Sequence, residues 1–143
     1  MSDDPEPVAF VDTNVLVYAM ANDDMARAPL AQALLKQLMM AKSFHTSTQV
    51  LQELFVTLTR KGRKPFSVEE ALRYLDRIAA YPVVTLDYSA VRAAAELSDR
   101  EKLSFWDALI IVAASRVQAG RLYSEDLQDG RTILGVQIVN PFR

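Results

Sequence analysis

A chain of 143 residues, half of them apolar, has the size of one domain with a single sizeable core. Its formal net charge of -2 excludes an overall basic nucleic-acid binder, so any such binding has to come from a local patch. The absence of cysteine excludes disulfides, thiolate metal sites and cysteine nucleophiles, and no run of 18 apolar residues is present to span a membrane.

The acidic start, Met1-Ser2-Asp3-Asp4-Pro5-Glu6-Pro7, lacks the apolar stretch of a signal peptide. It is expected to form a disordered tail over 1–7, followed by one domain over 8–143, with a cytoplasmic location as the default. Val8–Val11 reads as a short buried strand and Asn14–Met20 as a helical turn or two. Arg27–Ala41 has helical spacing, with Leu30, Leu34, Leu35, Leu38 and Met39 expected on its inner face. Phe44–Ser47 is a candidate strand. Thr48–Lys61 follows as a helix stopped by Gly62. Ser67 and Glu70 form a capping-box signature for a helix to about Ala80. Val83–Leu86 reads as a strand ended by Asp87, which is placed to cap a helix over Ser89–Leu97. Ser104 is placed to cap a helix over Phe105–Ala119 that Gly120 ends. Leu122–Ser124 and Val136–Val139 are expected strands around a turn at Asp129-Gly130. Short apolar strands alternating with helices imply an α/β fold with a parallel sheet covered on both faces. In such sheets ligands bind beyond the carboxyl ends of the strands.

Four acids stand beside apolar sequence that looks buried: Asp12 after Val8–Val11, Glu53 within Val50–Phe55, Asp107 before Ala108–Ala114, and Asp126 after Leu122–Ser124. A buried carboxylate is normally protonated, paired or bound to a metal. Each also has a purely structural reading. Asp12 is placed to cap the helix that follows. Asp107 completes Ser104-Phe105-Trp106-Asp107, close to a capping box, although the surrounding helix is apolar nearly all round. Glu53 lies beyond the edge of the stripe Val50, Leu51, Leu54, Phe55 and Leu58, as a solvated glutamate would. Asp126 sits in turn-like sequence where Glu125 and Asp129 compete for any acidic role. His45, the one histidine, reads as structural rather than as a general base. Ser and Thr residues have no histidine and aspartate partners in a triad order. The four glycines form no phosphate loop.

The stretches Phe10–Leu16, Ser47–Glu53, Ser104–Ile110 and Tyr123–Leu127, in this order, resemble the PIN domain, and most closely the ribonuclease toxins of the VapC type. The terminal Ile138-Val139-Asn140-Pro141-Phe142 is similar to the end of a subgroup of them. The resemblance spans about Val8 to Phe142. It implies a three-layer α/β/α sandwich with a short, mainly parallel sheet, and a metal site of Asp12, Glu53, Asp107 and Asp126 supported by Asn14 and Thr13. Glu125 or Asp129 stand as substitutes or assistants for the last acid. Oxygen ligands suit Mg2+ or Mn2+, as one or two ions. Two carboxylates about 4 Å apart repel by roughly 4 kcal/mol at an effective dielectric near 20, so four together need a cation. The implied activity is hydrolysis of RNA phosphodiesters by metal-activated water. The implied partners are an RNA substrate, a small antitoxin protein and a second copy in a homodimer.

The dense basic run Arg60, Lys61, Arg63 and Lys64 is the candidate RNA contact; it also suits the end of a helix, where positive charge is favoured. Three other readings stay open. The first is a PIN nuclease of RNA processing that is not a toxin. The second is an inactive metal- or RNA-binding module. The third is a phosphate-responsive receiver, poorly matched because Asp3-Asp4 precedes the first strand.

Overall fold

In the computed structural model, residues 7–62 and 64–143 are described. The expected tail over 1–7 lies outside them except for Pro7, and Arg63 lies outside them as well. The fold is a three-layer α/β/α sandwich around a six-stranded, mostly parallel sheet. The strands are β1 (Ala9–Val11), β2 (Phe44–Ser47), β3 (Val83–Val84), β4 (Arg121–Tyr123), β5 (Thr132–Ile133) and β6 (Val136–Val139). Their order in the sheet is β3-β2-β1-β4-β6-β5, and only the β5–β6 pair is antiparallel. The helices are α1 (Thr13–Ala21), α2 (Arg27–Met40), α3 (Thr48–Arg60), α4 (Val68–Ala79), α5 (Tyr88–Glu101) and α6 (Phe105–Arg116).

β1 lies at the centre, between β2 and β4, and all three of its residues are buried. An unbroken apolar run is what a strand covered on both faces requires. α6 is likewise enclosed, with every residue from Ala108 to Ala114 buried. Its small alanines let neighbouring elements approach closely, while Ile110, Ile111 and Val112 fill the space between them.

Local capping chemistry sets where the helices begin. Ser67 and Glu70 form the expected reciprocal box, with Glu70 N donating to Ser67 Oγ at 3.1 Å and Ser67 N donating to Glu70 Oε1 at 3.2 Å. Asp87 accepts from Ala90 N at 3.0 Å and Ser104 from Asp107 N at 3.1 Å.

The structure revises several expected boundaries. α5 runs on to Glu101, while α6 stops at Arg116, before Gly120. β3 is only two residues long. The turn before β6 is Leu134-Gly135 rather than Asp129-Gly130, with φ of 51° and 77°, and it joins a strand, β5, that the sequence does not suggest. Two consecutive positive φ values are what a two-residue hairpin needs to follow the sheet twist. On α2, the inner face is Ala28, Ala31, Leu35 and Leu38, whereas Leu30 is 50% exposed.

α3 ends at Arg60; Lys61 is extended and Gly62 follows at φ 97°. A Cβ on Gly62 would stand 2.8 Å from Asp23 Oδ2. Gly62→Ala is therefore expected to cost about 1–2 kcal/mol of stability, read by urea denaturation. An unchanged midpoint would mean that the backbone relaxes without strain.

Candidate metal centre

Parallel pairing brings the carboxyl ends of β1 and β4 side by side. Val11 is in register with Tyr123, and the next residue, Asp12, donates its N–H to Tyr123 O at 3.0 Å. Asp12 is the N-cap of α1 and Ser124 begins the loop after β4. Their side chains meet: Ser124 Oγ donates to Asp12 Oδ2 at 2.8 Å, while Thr13 N donates to Oδ1 at 2.7 Å. The capping role and the candidate site role thus fall on the same carboxylate.

Asn14, in the first turn of α1, joins the two strand ends. Its Nδ2 donates to Asp126 Oδ2 at 3.1 Å and to Ser124 Oγ at 3.3 Å, and it lies 3.5 Å from Asp12 Oδ2. Its Oδ1 accepts from Glu125 N at 3.1 Å. Across the cleft, Thr13 Oγ1 donates to Glu53 Oε2 at 2.8 Å, a contact between residues 40 apart in sequence. The other Glu53 oxygen accepts from Gln49 Nε2 at 2.9 Å, one turn earlier on α3. Gln49 Nε2 also donates to Trp106 O at 3.2 Å, which ties Glu53 to the turn that presents Asp107. Thr13, Asn14, Val17, Tyr18, Glu53, Thr57 and Asp126 line a cleft of about 390 Å³.

The electrostatics match the geometry. Burial, above all, pushes the Asp12 carboxyl up from 3.8 to about 6; the bonds from Ser124 and Thr13 oppose this, while the charges of Glu53 and Asp126 add to it. Asp107 is also raised, again mainly by burial, with Ser104 opposing and Asp126 and Glu53 adding. The charges of Glu53 and Asp126 therefore reach both Asp12 and Asp107. Among the described residues, no ion pair involves any of them.

The donor set is carboxylate, hydroxyl and carboxamide oxygen, the chemistry that suits a hard divalent cation, and such a charge would reverse both upward displacements. In chemistry and charge the residues fit that group. They are not closed on one point, however. Among the described residues, no three His, Asp or Glu side chains are gathered tightly enough to enclose an ion as they stand. Thr13, Gln49 and Asn14 hold the carboxylates instead.

Several expectations change here. Of the four acids only Asp12 is buried; Glu53 and Asp107 are half-buried and Asp126 is exposed. Glu53 is not the solvated glutamate of the helical-wheel reading. The two alternatives to Asp126 are engaged elsewhere: Glu125 with Arg27 at 2.7 Å, and Asp129 with Asn140 N at 2.8 Å. His45 lies in β2 with Nδ1 3.1 Å from Ser43 O, as a structural histidine would.

Two contributors escape the sequence reading. Ser124 reads there only as a strand end. Gln49 stands four residues before Glu53, a spacing that places two side chains together on a helix and is a readable signal. Arg60, Lys61 and Lys64 lie around the end of α3, on the surface. No helix among the described residues is long and apolar enough to cross a membrane.

A family model described as the PIN domain matches residues 9–128. Among curated proteins, no sequence matches the chain significantly. Three solved structures are similar in fold. A toxin–antitoxin complex from Klebsiella pneumoniae superposes with a TM-score of 0.66 at 20% identity, covering 93% of this chain and 97% of that one. VapBC2 from Rickettsia felis, bound to a DNA fragment from its promoter, gives 0.64 at 19%, covering 92% and 96%. VapC20 from Mycobacterium tuberculosis, described as a toxin that cleaves the sarcin-ricin loop, gives 0.60 at 24%, covering 82% and 91%.

Proposed function

Because the chain belongs to the PIN-domain family, we propose that it is a metal-dependent endoribonuclease, the toxin of a type II toxin–antitoxin pair, in which Asp12, Glu53, Asp107 and Asp126 hold one or two Mg2+ or Mn2+ ions. The observation that carries this reading is the linking of acids from separate segments through Thr13, Asn14, Ser124 and Gln49. The charges of Glu53 and Asp126 are felt at both Asp12 and Asp107, and no cation of the chain is paired to any of the four among the described residues. When bound, such an ion supplies a Lewis acid that acidifies water and offsets charge on a phosphodiester.

The chain's own side chains hold and orient the acids. Ser124 and Thr13 N–H fix both oxygens of Asp12. Asn14 holds Asp126 by one oxygen, and Thr13 and Gln49 hold the two oxygens of Glu53. In this reading no protein nucleophile is used and no histidine moves a proton. The direct test incubates the pure protein with RNA and Mn2+, with and without EDTA, beside Asp107→Asn. Cleavage that survives EDTA, or that Asp107→Asn leaves intact, contradicts the assignment. Sequencing RNA ends after brief induction then identifies the cleavage site.

The toxin role is supported by the fold shared with toxin–antitoxin proteins and by an acidic cleft that lacks its own counter-charge among the described residues. Such a cleft suits a basic side chain of a small antitoxin, and the family likeness implies a homodimer. Growth arrest on expression, relieved by a neighbouring antitoxin gene, separates this role from RNA processing.

Substrate affinity is assigned to Arg60, Lys61, Arg63 and Lys64. Replacing Arg63 and Lys64 by Ala is expected to flatten the dependence of log affinity on log salt by about 0.7 for each phosphate that is no longer neutralised. A slope equal to that of the wild type removes the run from the RNA-binding surface.

A further inference from the structure

The loop that carries Asp126 is gripped a second time, beside the acidic cleft. Its preceding residue, Glu125, turns away from the four acids. Its Oε2 accepts from Arg27 Nε at 2.7 Å and its Oε1 accepts from the Tyr18 hydroxyl at 3.0 Å. Arg27 opens α2 and Tyr18 belongs to α1. The guanidinium also donates from Nη1 to Asp24 Oδ2 at 3.1 Å. It lies over two rings, 5.5 Å from the centroid of Tyr18 and 5.8 Å from that of Phe142. Those rings meet edge to face at 5.1 Å. Phe142 ends the Asn140-Pro141-Phe142 segment. There Asn140 is buried, accepts from Phe142 N at 2.9 Å, and donates its own N–H to Asp129 at 2.8 Å. The C-terminal segment, two helices and the loop after β4 therefore converge on one guanidinium.

We propose that Arg27, backed by Phe142, is a positioning residue for the acidic site: by fixing Glu125 it fixes both Asp126 and the Asn14 carboxamide. This rests on the reading of Asp126 as an ion holder. The link is short and covalent. Glu125 is flanked by Ser124, which bonds Asp12, and by Asp126 itself. The Glu125 N–H occupies Asn14 Oδ1, which leaves the Asn14 amide hydrogens no orientation except toward the acids. A displaced loop breaks both hydrogen bonds at once. A planar guanidinium packed against two rings restricts such movement better than an ammonium, because its donors are fixed in one plane. Its charge also balances Glu125, the neighbour of Asp126 in the chain, which without it loses its ion-pair partner.

The test uses the whole chain, free of metal and RNA, and reads amide hydrogen exchange at Glu125 against Leu122 in β4 as internal reference. Arg27→Ala is expected to speed exchange at Glu125 by about tenfold or more, with Arg27→Lys and Phe142→Ala intermediate and Leu122 unchanged. Titration of the same proteins with Mn2+ is expected to show about tenfold weaker binding for Arg27→Ala, the lower end of the effect of residues that orient a ligand. On RNA, kcat is expected to fall while KM holds. Wild-type exchange at Glu125 in all three variants overturns the proposal, as does unaltered Mn2+ affinity in a loosened loop. If Arg27→Ala does not fold, Arg27→Lys and Phe142→Ala, which remove only the fork or one ring, carry the same test. A wild-type protein that binds Mn2+ yet leaves RNA intact refutes the ribonuclease reading and leaves this one standing, since neither exchange nor titration requires cleavage.

Discussion

Asp12→Asn is expected to abolish RNA cleavage and, in the same molecule, to stabilise the metal-free protein at neutral pH. The loss of activity should exceed the 10- to 100-fold typical of residues that merely orient a ligand, reaching at least about 100-fold. The gain in stability follows from proton linkage. Burial raises the folded-state pKa of Asp12 from 3.8 to about 6. Between those values the folded protein retains a proton that the unfolded chain has released, so this contribution to stability falls as pH rises through the window. Above about pH 6 the full penalty is present, and at 1.36 kcal/mol per unit it amounts to about 3 kcal/mol. An asparagine keeps the cap on α1 without the charge. Urea denaturation in EDTA from pH 4 to 8 should show the wild type losing clearly more stability across the window than the variant, which keeps only the contribution of groups such as Asp107. Parallel curves would show that the buried carboxylate is already compensated by something other than a metal. Added Mn2+ should restore the wild type and leave Asp12→Asn unmoved.

Asn14 carries the second large effect. Its carboxamide contacts Asp126, Ser124 and the Glu125 N–H, and lies near Asp12. Asn14→Ala should lower cleavage by about 10- to 100-fold, as the loss of a residue orienting two carboxylates. Asn14→Asp should do more harm despite its near-identical shape. An oxygen then replaces the amide nitrogen that faces Asp126 and Asp12. Each such pair repels by about 4 kcal/mol at 4 Å and an effective dielectric of 20, until a proton is taken up. In EDTA the melting temperature should therefore rank wild type, then Asn14→Ala, then Asn14→Asp, with Mn2+ narrowing the gap for the aspartate. An Asn14→Asp protein as stable as the wild type in EDTA would mean that the acids do not sense one another.

What the sequence reveals is local. Ser67, Asp87 and Ser104 announce their helices because a cap and the N–H it satisfies lie within three residues. The all-round apolar run at Ala108–Ala114 announces a buried helix for an equally local reason. What it conceals depends on neighbours far along the chain. Leu30 is expected inside because large side chains dominate a hydrophobic pattern, yet the contact of α2 with the rest of the fold uses the small Ala28 and Ala31. Glu53 reads as a surface residue because its partner, Thr13, lies 40 positions earlier. Ser124 is invisible as a site residue until β1 and β4 are known to be adjacent. β5 is too short to show an alternation, and a leucine at positive φ is a weak turn signal. The family likeness assigns the four acids to one site, with Asn14 and Thr13 in support. It does not anticipate Ser124 and Gln49 as further links between them, nor that Glu125 turns outward to Arg27.

The two ends of the sheet have a further consequence. β3 and β5, the outermost strands, are two residues long. So brief a border exposes too few free amides and carbonyls to template another strand, which protects the chain against fibrillation through edge pairing. A second copy would then have to dock through helix faces rather than by extending the ribbon.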